Sequence, residues 1–257
     1  MAGSPSVVNP IPYRFRGQQV ISVVLPAFNE SGMLDATVTA IHEGLTSRKV
    51  SFEIQIVENG STDDTSQIAE RICSRLPRVS AQSLGYADYG DALRAGLKSS
   101  SGEVAIIFDV DYFDLDFADS ALEALDWNST PIGPVVVVGS KRAPGSSDNR
   151  SKLRRLATAI FSGILKRQFG LSLSDTHGMK VLNLAALRGV IDECECGADL
   201  FDTEVIIRAE RAGMVVAEVP VNVIELRPSR TSIIRRVPRT LGGIVRLRRV
   251  LGPVPRD

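Results

Sequence analysis

The 257-residue sequence predicts an α/β fold built on a mostly parallel sheet flanked by helices, and three observations predict it. Apolar runs of strand length alternate with segments whose apolar residues recur every three or four positions. The runs are apolar at consecutive residues, as in strands covered on both faces. Polar clusters follow several runs directly, where a doubly wound sheet gathers its loops.

The elements follow in order. VISVVL at 20–25 is a buried strand stopped by Pro26, and Ser31 opens a helix carrying Leu34, Val38, Ile41 and Leu45 on one face. FEIQIV at 52–57 is a second strand. After the turn Glu58-Asn59-Gly60, Ser61 or Thr62 caps a helix with Asp63 and Asp64 in its first turn, which runs to about Leu76 before Pro77. A strand near 79–84, a helix at 89–99 and a strand at 104–108 ending at Asp109 complete four rounds of alternation, the form of a nucleotide-binding half over residues 20–111. Beyond it the pattern gives a helix near 116–125, a strand at 135–139, a long helix at 151–168, a strand near 178–182, a helix at 201–212 and a last strand at 215–219. Residues 1–19 read as an extension, and residues 226–257 as a separate arginine-rich segment.

Composition narrows the class. With 44% hydrophobic and 23% charged residues the chain is a folded domain, and 30 basic against 30 acidic residues give no global attraction to nucleic acid. No apolar run approaches the roughly 18 residues of a membrane span. Three cysteines, Cys73, Cys194 and Cys196, form neither a disulfide framework nor a zinc set, and no signal-like run opens the chain, so a cytoplasmic protein is expected. Cys194 and Cys196 are read as packing, as is Trp127; His177 has only His42 for company and makes no histidine metal site.

The chemistry should gather at the carboxyl ends of the strands. The clusters there are Pro26-Ala27-Phe28-Asn29-Glu30, Glu58 to Asp64, and Asp109-Val110-Asp111. No glycine-rich phosphate cradle is present, which removes a dinucleotide oxidoreductase and a P-loop ATPase. Asp109 and Asp111, two residues apart past a buried strand, can converge on Mg²⁺ or Mn²⁺ whose other ligands come from a nucleoside diphosphate. The alternative is a strand-end cap and a solvated turn residue. A phosphatase motif fits less well, because Phe113 stands where that motif wants Thr or Val.

These motifs together resemble glycosyltransferase family 2, of GT-A fold, in the branch of dolichyl- and polyprenyl-phosphate sugar synthases. The resemblance runs through ISVVLPAFNE (21–30), VENGSTDDT (57–65), GDALRAGL (90–97), FDVD (108–111), SDTHGMKVLN (174–183), FDTEVIIRA (201–209) and EVPV (218–221). It implies a glycosyltransferase domain over 20–225, its acceptor half at 112–225. Pro26, Ala27, Asn29, Glu30 and Gly60 would line the nucleotide pocket and Glu58 would face base or ribose. Asp91, Asp109 and Val110 would border nucleotide and sugar, and Asp109 and Asp111 would share the metal. Asp175, Thr176, Gly178 and Lys180 match a D-T-x-x-G-x-K loop near donor sugar or acceptor, Glu204 matches an acidic position, and Arg227 and Arg230 sit where related synthases bind phosphate. Glu58-Asn59 replaces the frequent pair of acids, so a GDP- or UDP-linked donor is equally compatible.

The implied reaction is a single in-line displacement with inversion at the anomeric carbon, the metal taking up leaving-group charge. An alcohol acceptor needs a base, Glu204 or Asp175; a lipid phosphate, already anionic, does not. Glu204 could instead pair with Arg208 at i+4, and Lys180 could be a solvated lysine. The expected acceptor is a polyprenyl-type lipid phosphate at the cytoplasmic membrane face; the alternatives are a soluble hydroxylated acceptor or glycan, or a non-catalytic nucleotide-sugar-binding module. Nine arginines and no acid lie between Leu226 and Arg256, around the stripe Ile233, Val237, Leu241, Ile244, Leu247 and Leu251. That composition suits a helix in an anionic membrane interface. It also suits a helix docked on this protein or on a second subunit of a homo-oligomer, and Pro238 with Gly242-Gly243 is expected to bend or break it.

Overall fold

The structure is a computed structural model, describing residues 20–125, 133–143, 147–148, 152–174, 176, 178–197, 200–223 and 233–252. Its elements run β1 (Val20–Ala27), α1 (Leu34–Ser47), β2 (Ser51–Glu58), α2 (Thr65–Arg75), β3 (Val79–Ser83), α3 (Tyr89–Ser99), β4 (Val104–Ile107), α4 (Leu115–Leu125), β5 (Val136–Ser140) and β6 (Ser147–Asp148). They continue with α5 (Lys152–Phe169), β7 (Lys180–Asn183), α6 (Leu184–Glu193), α7 (Phe201–Arg211), β8 (Val216–Pro220), β9 (Asn222–Val223) and α8 (Ile233–Leu251).

Seven strands form one sheet in the order β3-β2-β1-β4-β7-β5-β8, all parallel to their neighbours except β7, which is antiparallel to β4 and β5; β6 and β9 form a separate parallel pair. The chain winds outward from β1 through β2 to β3 and then returns to place β4 on the other side of β1. That reversal leaves a crevice at the carboxyl ends of β1 and β4, the ordinary ligand position in such a sheet. Because β7 runs the other way, its first residue, Lys180, pairs with Ile107 and Val138 and lies at this same end.

Alternation of side chains along each strand builds two cores. Ile21, Val23 and Leu25 of β1 and Val104 and Ile106 of β4 face α1, α2 and α4, while Val24, Ala105 and Ile107 face α3 and the helices α5 to α8. The helical stripe read from the sequence is the inner face of α1: Leu34, Val38 and Ile41 are completely buried. Each such side chain contributes about 1.5–3 kcal/mol on burial.

Four sequence expectations need correction. Pro26 does not end β1; the strand continues until Ala27 pairs with Glu58. Helix α2 starts at Thr65, not after Ser61, because the Ser61 hydroxyl accepts from the Asn29 N–H at 3.0 Å and the Thr62 N–H donates to Asn29 Oδ1 at 2.8 Å. Both cap candidates are used to tie two loops together. Helix α6 was not anticipated: it follows β7 without a loop, with Asn183 as its cap accepting from Ala186 N–H at 3.1 Å. Finally, α8 is continuous through Pro238 and Gly242-Gly243. At Gly243 it lies close on the protein, and a Cβ there would stand 2.5 Å from Leu200 Cδ1, so the Leu200 side chain would have to shift.

Candidate active site

The crevice is built by loops that hold one another. Asn29 sits at φ 56°, a left-handed conformation asparagine tolerates, and turns the chain so that its carboxamide meets Thr62. The Glu30 N–H donates to Thr65 Oγ1 at 2.7 Å, and the Ser31 N–H to Asp63 at 3.3 Å. Asp63 also accepts from the Thr65 N–H at 3.0 Å. The slight burial of its carboxyl is outweighed by these hydrogen bonds from Thr65 and Ser31, which hold it down at about 2.

Glu58 closes β2 and is buried. Burial alone would raise its carboxyl, but hydrogen bonds from the Ser83 hydroxyl and from Ser61 outweigh it and keep Glu58 below the usual carboxylate range. Gly60, at φ 78°, runs beneath the 84–88 loop; a Cβ there would lie 2.6 Å from the Tyr86 carbonyl carbon. That loop returns through Asp88, which caps α3 by accepting from the Asp91 N–H at 2.9 Å. Asp91 in turn binds Arg94 and accepts from the Tyr86 hydroxyl at 3.1 Å.

Asp109 and Asp111 follow β4 on a tight turn, closed by paired backbone bonds between Asp109 and Tyr112 at 3.1 and 3.2 Å. The Tyr89 hydroxyl donates to Asp109 at 3.0 Å. Burial, and next the Asp111 charge, push Asp109 above its ordinary value, against the lowering effects of Tyr89, Lys180 and Lys141. Two oxygen donors that repel each other at the crevice are what a hard divalent cation relieves, and a pair of carboxylates suits Mg²⁺ or Mn²⁺ that takes further ligands from phosphates. Among the described residues no group of three His, Cys, Asp or Glu side chains is placed to hold a metal ion.

Lys180 is buried, its Nζ donating to Asp202 at 2.7 Å and to the Gly178 carbonyl at 2.8 Å. It is not the solvated lysine of the alternative reading. Thr176 is buried behind it, within 3.2 Å of the Thr203 hydroxyl. Glu204 is completely buried in the first turn of α7. Its carboxylate accepts from the N–H groups of Glu195, at 3.0 Å, and Cys196, at 2.6 Å, and from Arg208 Nε at 2.8 Å. The i+4 pair with Arg208 therefore exists, but inside the protein. Beside it burial, then Glu204, pushes the Cys194 and Cys196 thiols up to about 12.

The structure thus gathers Asn29, Glu30, Glu58, Gly60, Asp109, Asp111 and Lys180 at one end of the sheet. Ala27 and Val110 instead face the core with their side chains, and the Val110 carbonyl accepts from Thr37 Oγ1 at 2.7 Å. Asp175, His177, Trp127, Arg227 and Arg230 lie outside the described residues. Sequence reasoning missed Tyr89, Lys141 and Asp202. Lys141 directly follows β5, so the strand-end rule that found the other clusters applied there too.

A family profile described as "Glycosyl transferase family 2" matches residues 22–190. Among curated proteins the chain is 29% identical over 228 residues to glycosyltransferase AglD of Haloferax volcanii, an alignment covering 86% of this chain but only 35% of that protein. It is 26% identical to the dolichyl-phosphate beta-glucosyltransferase of Saccharomyces cerevisiae, across 83% of this chain and 69% of the other. Among solved structures it resembles glucosyl-3-phosphoglycerate synthase from Mycobacterium tuberculosis, there in complex with Mn²⁺, UDP-glucose and phosphoglyceric acid. The TM-score is 0.62 at 21% identity, covering 93% of this chain and 81% of that one, a likeness of fold.

Proposed function

The chain belongs to glycosyl transferase family 2, and from that membership we propose an inverting, metal-dependent transfer of a sugar from a nucleoside-diphosphate sugar to a lipid phosphate of polyprenyl type at a membrane surface. The observation that carries this reading is the convergence of the Asn29, Glu58 and Asp109-Val110-Asp111 loops on the crevice between β1 and β4. The dolichyl-phosphate glucosyltransferase among the relatives supports the acceptor class.

In this reading residues 20–111 hold the nucleotide and 112–225 the acceptor, with 226–257 a separate basic segment. Asn29, Glu30, Glu58 and Gly60 shape the nucleotide pocket, and Asp91 supports its rim through Tyr86. A divalent cation held by Asp109 and Asp111 would offset charge on the departing diphosphate. Tyr89 orients Asp109, and Lys180 holds Asp202 in place through their ion pair. Arg227 and Arg230 steer the acceptor phosphate, whose own charge makes a strong base unnecessary. Glu204, with its oxygens engaged by backbone N–H groups and Arg208, anchors the 195–196 segment in preference to accepting a proton.

The test is titration of UDP- and GDP-linked sugars with Mn²⁺ or Mg²⁺ and again with EDTA, followed by transfer to a short polyprenyl phosphate in detergent. Metal-dependent binding of a donor and a lipid-linked product are expected. Donor hydrolysis or transfer to a soluble acceptor without any lipid-linked product would overturn the acceptor; absence of donor binding would overturn the whole reading.

A further inference from the structure

Two helices carry a feature that the crevice does not use. Helices α5 and α8 touch each other, and between them they hold eleven basic residues, five on α5 and six on α8, with no acid on either. On α5, Leu165 and Phe169 are buried, while Leu156 and Ile160, both 57% exposed, lie on the opposite face with Arg167. On α8, Ile244 and Leu247 pack into the protein. Of the stripe expected to meet lipid, Ile244 and Leu247 are thus spent on the core. Leu241 and Val245, both 51% exposed, share the outward face with Arg248 and Arg249. Among the described residues, four of the seven exposed large hydrophobic side chains are on these two helices.

We infer that the outward faces of α5 and α8 together form a docking surface for an anionic lipid bilayer, Leu156, Ile160, Leu241 and Val245 entering the acyl boundary and the flanking arginines meeting the headgroups. Apolar side chains one helical turn apart, edged by cations, suit an interface that is greasy inside and negative at its rim. A symmetric pairing of two copies through this face fits poorly, because it would set one all-basic pair of helices against another. No described helix is long and apolar enough to cross a membrane, so the contact is with the interface. This deepens the membrane part of the proposed function but rests on the surface alone.

Co-sedimentation of the whole chain with vesicles of phosphatidylcholine, with or without phosphatidylglycerol, tests it without donor or acceptor. Binding is expected to increase at least tenfold with the anionic lipid and to weaken with salt. Leu156→Ser/Ile160→Ser/Leu241→Ser/Val245→Ser should abolish it with an unchanged melting temperature, and Arg248→Gln/Arg249→Gln should flatten its dependence on phosphatidylglycerol. Equal sedimentation of parent and quadruple variant would overturn the inference. So would a parent that ignores anionic vesicles, or a dimer in light scattering that the quadruple variant dissociates. Transfer to a polyprenyl phosphate in detergent is read separately, so a parent that transfers but does not bind anionic vesicles removes this surface and leaves the reaction standing.

Discussion

Lys180 and Asp202 form an ion pair of 2.7 Å in which both side chains are at least nine-tenths buried, and it joins the first residue of β7 to the first turn of α7 behind Asp109. A pair so enclosed matters less for what it adds than for what its loss leaves behind. Either partner alone would be a charge in a poorly solvated site.

Lys180→Met and Asp202→Leu should therefore each destabilise the protein by about 3–5 kcal/mol in urea unfolding, and the double variant by much less than the sum. Additive losses would show that the two groups do not depend on each other.

Glu204 offers a sharper contrast between roles. As a general base for an alcohol acceptor it would be worth roughly 10²–10⁴ in rate; as the acceptor of two backbone N–H groups and Arg208 it holds a loop. Glu204→Gln is expected to lower stability by about 1.5–3 kcal/mol, the range for hydrogen bonds to charged groups. It should change kcat less than a lost base would. A collapse of kcat at unaltered stability would return Glu204 to the base's role.

The sequence made the first half of the chain legible because strand and helix periods there alternate with few interruptions, and helix α3 was predicted at its observed bounds. It misled where a residue type has two uses. Ser61 and Thr62 look like helix caps but serve Asn29, and Ile244 and Leu247 look like a lipid-facing stripe but fill the core. The site was legible where chemistry follows a strand end, at Glu58 and Asp109. It was opaque where a role depends on a partner far away in sequence: neither the Tyr89 hydroxyl on Asp109 nor Lys180 on Asp202, 22 positions apart, has a local pattern.

Gly60→Ala places a methyl group against the Tyr86 backbone at a backbone angle that alanine rarely adopts. A cost of more than about 1 kcal/mol is expected. Because the displaced 84–88 loop borders the nucleotide loops, KM for the donor should rise more than kcat falls. A donor KM equal to the parent's would separate that loop from the pocket.

Asp63 supplies a pH dependence. Its carboxyl is held near 2 in the folded protein against an ordinary 3.8, so its stabilising effect is complete above the ordinary value and is lost as the pH falls toward the folded one. Asp63→Asn should lower the melting temperature at neutral pH and flatten its decline between about pH 5 and about pH 2. Parallel curves for parent and variant would show that the loop clasp does not depend on this charge.

Asp111 sets stability against function. Its charge, after burial, keeps Asp109 above the ordinary carboxylate value, which is the sign of a group whose ionised form is disfavoured by the fold: the folded state is favoured at low pH and loses that advantage as the pH rises through the raised value. Without a cation the two carboxylates therefore strain the neutral-pH protein, and Asp111→Asn should raise the melting temperature in EDTA. Mn²⁺ should reverse the order, raising the melting temperature of the parent and leaving the variant almost unmoved. Metal-dependent donor affinity should fall at least about tenfold, the equivalent of one lost charge-assisted contact. A variant that is destabilised in EDTA would show that Asp111 supports the turn in place of repelling Asp109. One that still gains stability from Mn²⁺ would place the cation elsewhere.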